Sequence, residues 1–151
     1  MKKVLVVYES IHNGNTERIA NLIGECLGGD VFRVGEIDKS IIQDYDVIGF
    51  GSGIYFGKHH RSLFELIDEM DRLEKKSFIF STRTLTPQSL SHRKLKEKLM
   101  EKGAKILGEF SCKGESRMGI FKLFGGICKG RPNSDDMRRA RDFAENLKKK
   151  L

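Results

Sequence analysis

The sequence predicts an α/β domain built on a parallel sheet with helices on both faces. Two patterns carry that prediction. Short apolar runs alternate with amphipathic helical stretches along the whole chain. Several runs are apolar at consecutive positions, which suits strands buried on both sides. The 151 residues suffice for one such domain, residues 1–151, with its own core. Right-handed crossovers then join the strands, and ligands bind beyond the strands' carboxyl ends where the strand order reverses.

The elements follow in order. KVLVVY (3–8) is the first strand. NTERIANLIGECL (15–27) is a helix with Ile19, Ile23 and Leu27 on one face, stopped by Gly28 and Gly29. VFRV (31–34) is a short second strand, SIIQDY (40–45) a single turn and DVIGFG (46–51) a third strand. RSLFELIDEMDRL (61–73) turns Leu63, Phe64, Ile67 and Met70 to one side. SFIFS (77–81) is the fourth strand, SHRKLKEKLMEKG (91–103) a basic helix and AKILGEF (104–110) the fifth strand. The last helix runs to Leu151, with Ser134 as the expected N-cap and Asp135 and Asp136 in its first turn.

Composition excludes some classes. No apolar run reaches the length of a membrane span. MKKVLVV runs into Glu9 without a small-residue cleavage site and reads as a strand, not a signal peptide. Cys26, Cys112 and Cys128 form no CxxC pair, which suits a reducing cytoplasm, the expected location. The net charge of +7 is uneven: residues 1–75 carry −4 and residues 76–151 carry +11. That basic half is either a solvated face or a surface for an acidic partner. Aromatic residues do not interleave with its lysines, so nucleic acid is disfavoured.

The loops at the strand ends carry the chemistry. ESIHNGNT, after the first strand, feeds straight into a helix, whose first N–H groups lack internal partners and favour an anion. Gly14 permits close approach, and Ser10, Asn13, Asn15 and Thr16 add neutral donors. The loop is neither GxxxxGK[ST] nor GxGxxG, so a single phosphate fits better than ATP or a dinucleotide.

VVYESIHNGNTERIA resembles the phosphate loop of flavodoxins, aromatic–x–Ser/Thr–x–x–Gly–Asn–Thr. Here three residues, Ile11, His12 and Asn13, separate Ser10 from Gly14, where the family has two. GSGIYFGKHH (51–60) resembles the family's ring loop: Phe56 and Gly57 match its aromatic–glycine pair, with Tyr55 beside them. The resemblance implies a five-stranded parallel sheet of order 2-1-3-4-5 and FMN as cofactor. It assigns the phosphate to residues 10–16, the ring to Ser52, Gly53, Ile54, Tyr55, Phe56, Gly57 and Lys58, and the ribityl chain and pyrimidine edge to Ser81, Thr82 and Arg83. Gly57 would turn its carbonyl to the reduced ring, a flip that needs tolerance of positive φ. The aromatic that often covers the second ring face is missing; either Leu85 takes its place or that face is open. The implied function is electron transfer between partner proteins through flavin redox states, with no side chain acting as acid, base or nucleophile. The second loop also resembles flavodoxin-like quinone-dependent protoporphyrinogen oxidases, which implies the alternative of an FMN oxidoreductase acting on a quinone or porphyrinogen. A third reading is a fold without cofactor that serves as a binding module.

Two features depart from acidic flavodoxins. Lys58, His59, His60 and Arg61 adjoin the ring loop and His12 the phosphate loop, and such positive neighbours would raise the potential of an anionic reduced flavin. His59 and His60 lack a third ligand at metal spacing. The basic, apolar stretch 111–133 is long for a connection. It would be a lid, a docking surface, a membrane contact through 113–131 or a packed connection, with a short helix at 119–125. Cys112 and Cys128 would be idle thiols or a redox pair.

Overall fold

The computed structural model describes residues 1–11, 14–116 and 119–151. Among them the order is β1 (Val4–Glu9), α1 (Asn15–Leu27), β2 (Asp30–Arg33), 3-10 turns at Val34–Glu36 and Lys39–Asp44, β3 (Val47–Tyr55), β4 (Lys58–His59), α2 (Arg61–Asp68), β5 (Lys76–Arg83), α3 (Gln88–Glu101), β6 (Lys105–Lys113), a 3-10 turn at Gly119–Phe124, and α4 (Ser134–Lys148). Five strands pair in parallel in the order β2-β1-β3-β5-β6, the doubly wound sheet expected. β4 is the addition. It pairs antiparallel with the end of β3, Ile54 opposite His59 and Tyr55 opposite Lys58. Phe56 and Gly57 form the two-residue turn, with φ of 53° and 79°. Positive φ at both positions matches the right-handed twist of the flanking strands.

The sheet separates two apolar layers. Val4, Val6 and Tyr8 of β1 point towards α1 and α4, where Ile19, Ile23, Ala140 and Ala144 meet them. Leu5 and Val7 point the other way, into a layer with Leu63 and Ile67 of α2 and Leu95 and Leu99 of α3. Successive side chains of a strand alternate, so the apolar run Val4–Tyr8 of β1 serves both layers. Gly49 and Gly51 of β3 lie opposite Phe78 and Phe80 of β5. A Cβ at either glycine would come within 2.2 Å of the facing phenyl ring. The missing side chains on β3 are therefore what lets two phenylalanines lie across the sheet.

Some boundaries move. β3 runs on to Tyr55, and β6 runs to Lys113, which places Cys112 inside a strand. α2 ends at Asp68, short of the expected 73. Asn133, not Ser134, caps α4: its side chain accepts from the Asp136 N–H while Asp136 accepts from the Asn133 N–H, a reciprocal capping box.

Gly51→Ala is expected to lower stability by about 1–3 kcal/mol through overpacking against Phe80. Urea unfolding measures it, and an unchanged midpoint would mean that the ring shifts without cost.

Candidate functional site

Four chain segments meet at the carboxyl edge of the sheet around a cavity of about 470 Å³. Its walls come from the β1–α1 loop and the start of α1 (Ser10, Ile11, Asn15, Thr16), the β3–β4 hairpin (Gly53 to Gly57), the end of β5 with the loop after it (Thr82 to Thr86) and the chain beyond β6 (Gly114, Glu115, Ser116, Phe121).

The first wall is a helix start. Gly14 adopts φ 69°, and the ladder of α1 begins with the Arg18 N–H donating to the Gly14 carbonyl at 3.2 Å. The N–H groups of Asn15, Thr16 and Glu17 precede that first rung and have no acceptor within the helix. The side chains of Asn15 and Thr16 are struts instead. Asn15 Nδ2 donates to the Glu115 carbonyl at 2.8 Å, and the Thr16 hydroxyl shares a buried 2.8 Å hydrogen bond with that of Thr82. A Cβ at Gly114 would lie 2.9 Å from Asn15 Nδ2, so glycine lets the strut close. The Glu9 carboxylate, next to this loop, is met by Arg33 Nε at 2.7 Å and the Ser10 N–H at 3.2 Å.

The second wall is the hairpin. Phe56 stands fully exposed in a left-handed conformation that a bulky side chain rarely adopts. Tyr55 meets His60 edge-on with ring centroids 5.4 Å apart. Burial, then the charge of Glu9, raises the Tyr55 hydroxyl pKa. Gly53 accommodates the Tyr55 hydroxyl, which would lie 2.8 Å from a Cβ there.

The third wall rests on a buried polar chain. Ser81 Oγ lies 2.6 Å from His92 Nε2 and donates to Ser111 Oγ at 2.9 Å. Arg83 Nε donates to the same Ser111 oxygen at 2.9 Å. His92 Nδ1 lies 3.1 Å from Glu109 Oε1, and Lys96 reaches the other Glu109 oxygen at 3.0 Å. His59 packs against His92 with centroids 4.9 Å apart and hydrogen-bonds the Phe80 carbonyl through Nε2 at 3.0 Å. Burial, then the field of His92, drives the His59 pKa down to about 3. Burial, then the charges of Arg83 and Lys96, brings His92 down to about 4.

The expected site residues divide accordingly. Ser10, Ile11, Asn15, Thr16, Gly53, Ile54, Tyr55, Phe56, Gly57, Thr82 and Arg83 line the cavity. Gly14 sits behind it as the backbone cap of α1. Ser52 is turned inwards, donating to the Gly53 carbonyl and accepting from the His60 N–H. Ser81 is buried in the polar chain, and Lys58 lies on the solvent side with its ammonium 5.8 Å from the Phe64 ring. His12 and Asn13 lie outside the described residues. His59 is not the positive neighbour expected, because burial keeps it neutral. His60 is the N-cap of α2, its Nδ1 accepting from the Ser62 N–H at 3.1 Å.

Sequence reasoning singled out the loop 81–88 but not its Thr84 and Thr86, and it missed Gly114, Glu115, Ser116 and Phe121, for which the excess length of 111–133 was the one signal. That stretch doubles back, Ser116 bridging to Ile127, and brings Phe121 to the cavity. Leu85 lines the cavity and is 64% exposed. The Cys112 thiol is buried, and burial pushes its pKa up to about 12. Among the described residues no three His, Cys, Asp or Glu side chains are placed to hold a metal ion, and no helix is long and apolar enough to cross a membrane.

Residues 5–129 match the family model described as a flavodoxin domain. An uncharacterized protein of Methanocaldococcus jannaschii is 49% identical over 148 residues, 97% of this chain and 99% of that one. A flavodoxin from the domain Archaea superposes with a TM-score of 0.73 at 17% identity, covering 98% of this chain and 97% of its own. Oxidised Flavodoxin 1 from Bacillus cereus gives 0.72 at 20% identity, covering 99% of each chain. At these identities the two solved structures speak for the fold.

The buried histidines set a pH dependence. Both folded pKa values lie below the 6.5 of a free imidazole, so the unfolded chain binds protons that the folded chain refuses. Their contribution is whole above pH 6.5 and is lost as pH falls towards about 4 for His92 and about 3 for His59. His92→Gln should flatten the fall in urea stability between pH 6.5 and 4.5 by up to about 1.4 kcal/mol per pH unit, one proton's worth. An unchanged slope would place the proton uptake elsewhere.

Proposed function

The chain belongs to the flavodoxin family, and we propose that it holds one FMN in the cavity and carries electrons between partner proteins. The observation that supports this most is the join of two unlike walls. A helix start, whose first N–H groups have no acceptor within the helix, lines the same cavity as a hairpin carrying Tyr55 and Phe56. The donor set suits a phosphate at one end, through backbone N–H groups and the helix dipole. It suits a flat ring at the other, through aromatic faces. Hydroxyls of Ser10, Thr82, Thr84, Thr86 and Ser116 lie among the residues between. Bound there, FMN supplies electron storage at the ring. The chain's part is to hold the phosphate, orient the ring and limit water. Phe56 fits a stacking role: a bulky residue in a left-handed turn costs energy that packing inside the protein does not repay. Leu85 and Phe121 would close other sides.

The basic half of the chain supports an acidic redox partner. Reaction rates with such a partner should fall as salt rises, because exposed charges are screened within about 10 Å at 0.1 M. Rates indifferent to salt would remove the acidic partner from the proposal.

The first test compares FMN with riboflavin by flavin fluorescence quenching. Because the phosphate is the group the helix start would hold, FMN should bind about tenfold tighter or more. Equal affinities would reject the cradle, and no binding of either would leave a binding module without cofactor. Stepwise anaerobic reduction then separates the chemistries. A spectrum that passes through a one-electron stage supports a carrier; a direct two-electron change moves the chain to the FMN oxidoreductases.

A further inference from the structure

The cavity wall holds two charged residues among those described, Arg83 and Glu115. They are placed differently. Glu115 Oε1 accepts the Gly130 N–H at 3.0 Å, within the hairpin beyond β6. Arg83 is anchored from the sheet, through Nε to Ser111 at 2.9 Å and Nη1 to the Thr86 carbonyl at 3.5 Å. Both anchors are neutral oxygens, so neither cancels its charge. Among the described residues Arg83 has no carboxylate within ion-pairing distance. The anchor is itself fixed. Ser111 is buried and also accepts from Ser81, which is held against the buried His92. A long, flexible side chain is thus carried by a rigid chain of hydrogen bonds from three elements, β5, β6 and α3.

We propose that Arg83 is the cation that sets the redox poise of this site, stabilising the reduced, anionic form of the bound flavin over the oxidised one. The proposal rests on the FMN reading above. Addition of two electrons and one proton to oxidised FMN, taken from a protein electron donor and from solvent, leaves the ring with one more negative charge. A fixed cation in the wall of a small cavity lies within Coulomb reach of that charge and does not reorganise when it appears. The role expected of Lys58, His59 and His60 therefore falls to a residue on another loop. Lys58 lies outside the wall, His59 is buried in its neutral form, and His60 faces Ser62 as a helix cap.

The test measures the two-electron midpoint of the FMN-loaded protein by equilibration with a reference dye, for wild type, R83Q, R83K and S111A. R83Q should weaken reduced relative to oxidised FMN about tenfold, which lowers the midpoint by about 30 mV for a two-electron couple. R83K should restore most of the shift, since the charge and not the shape of the side chain is responsible. S111A keeps the charge and removes its anchor, and should move the midpoint the same way by less. An unchanged midpoint in R83Q, or a shift that R83K shares in full, overturns the role of Arg83 and leaves the FMN reading standing. Failure of the wild-type protein to bind FMN overturns both.

Discussion

The site depends on β1 pairing in parallel with a strand on each side. From β1 the chain crosses through α1 to β2 on one flank, then returns to β3 on the other. α1 covers one face of the sheet and α2 covers the opposite face. The loops leaving β1 and β3 therefore part company at the strand ends, and a crevice opens between them. The buried apolar run Val4–Tyr8 of β1 makes this stable. Its residues feed both layers at once, a central position that a strand with one polar face could not hold.

Side-chain struts then shape the crevice. Thr16 is tied to Thr82, Asn15 to the Glu115 carbonyl, and Arg83 to Ser111. Each joins segments that are far apart in sequence. These bonds use side chains, while the N–H groups at the start of α1 have no acceptor within the helix. The same economy appears at Gly114, where the absence of a side chain admits the Asn15 amide.

Beneath the third wall the protein buries two histidines side by side. Their neutral forms are kept by burial, and the cost appears only when acid offers the unfolded chain protons. Arg83 belongs to both sides of this arrangement: it lines the cavity, and its charge helps to hold the His92 pKa low. The polar chain from Lys96 through Glu109, His92, Ser81 and Ser111 thus connects the solvent side of α3 to the cavity wall.

The sequence by itself determined the alternation of strand and helix, the two-faced burial of β1, and the helix start at Gly14-Asn15-Thr16. These are local properties: periodicity, an apolar run, and a glycine before a helix. It also marked Tyr55, Phe56 and Gly57 as a unit. Tertiary structure alone decided the rest. The Phe56–Gly57 turn became a hairpin because β4 found the end of β3, a pairing of two residues too short to leave a pattern. His59 and His60 read alike in sequence, yet one is buried against β5 and the other caps α2, because neighbouring residues at a strand-to-helix step face different surroundings. Ser81 and Arg83 lie two residues apart on the same face of β5 and both bond Ser111, yet Ser81 is buried within the polar chain. Arg83, at the strand's end, reaches both that chain and the cavity. Glu115, Ser116 and Phe121 reached the cavity only through the fold of the chain beyond β6. Contacts between distant segments decide such placements, and they leave no local mark in the residues that make them.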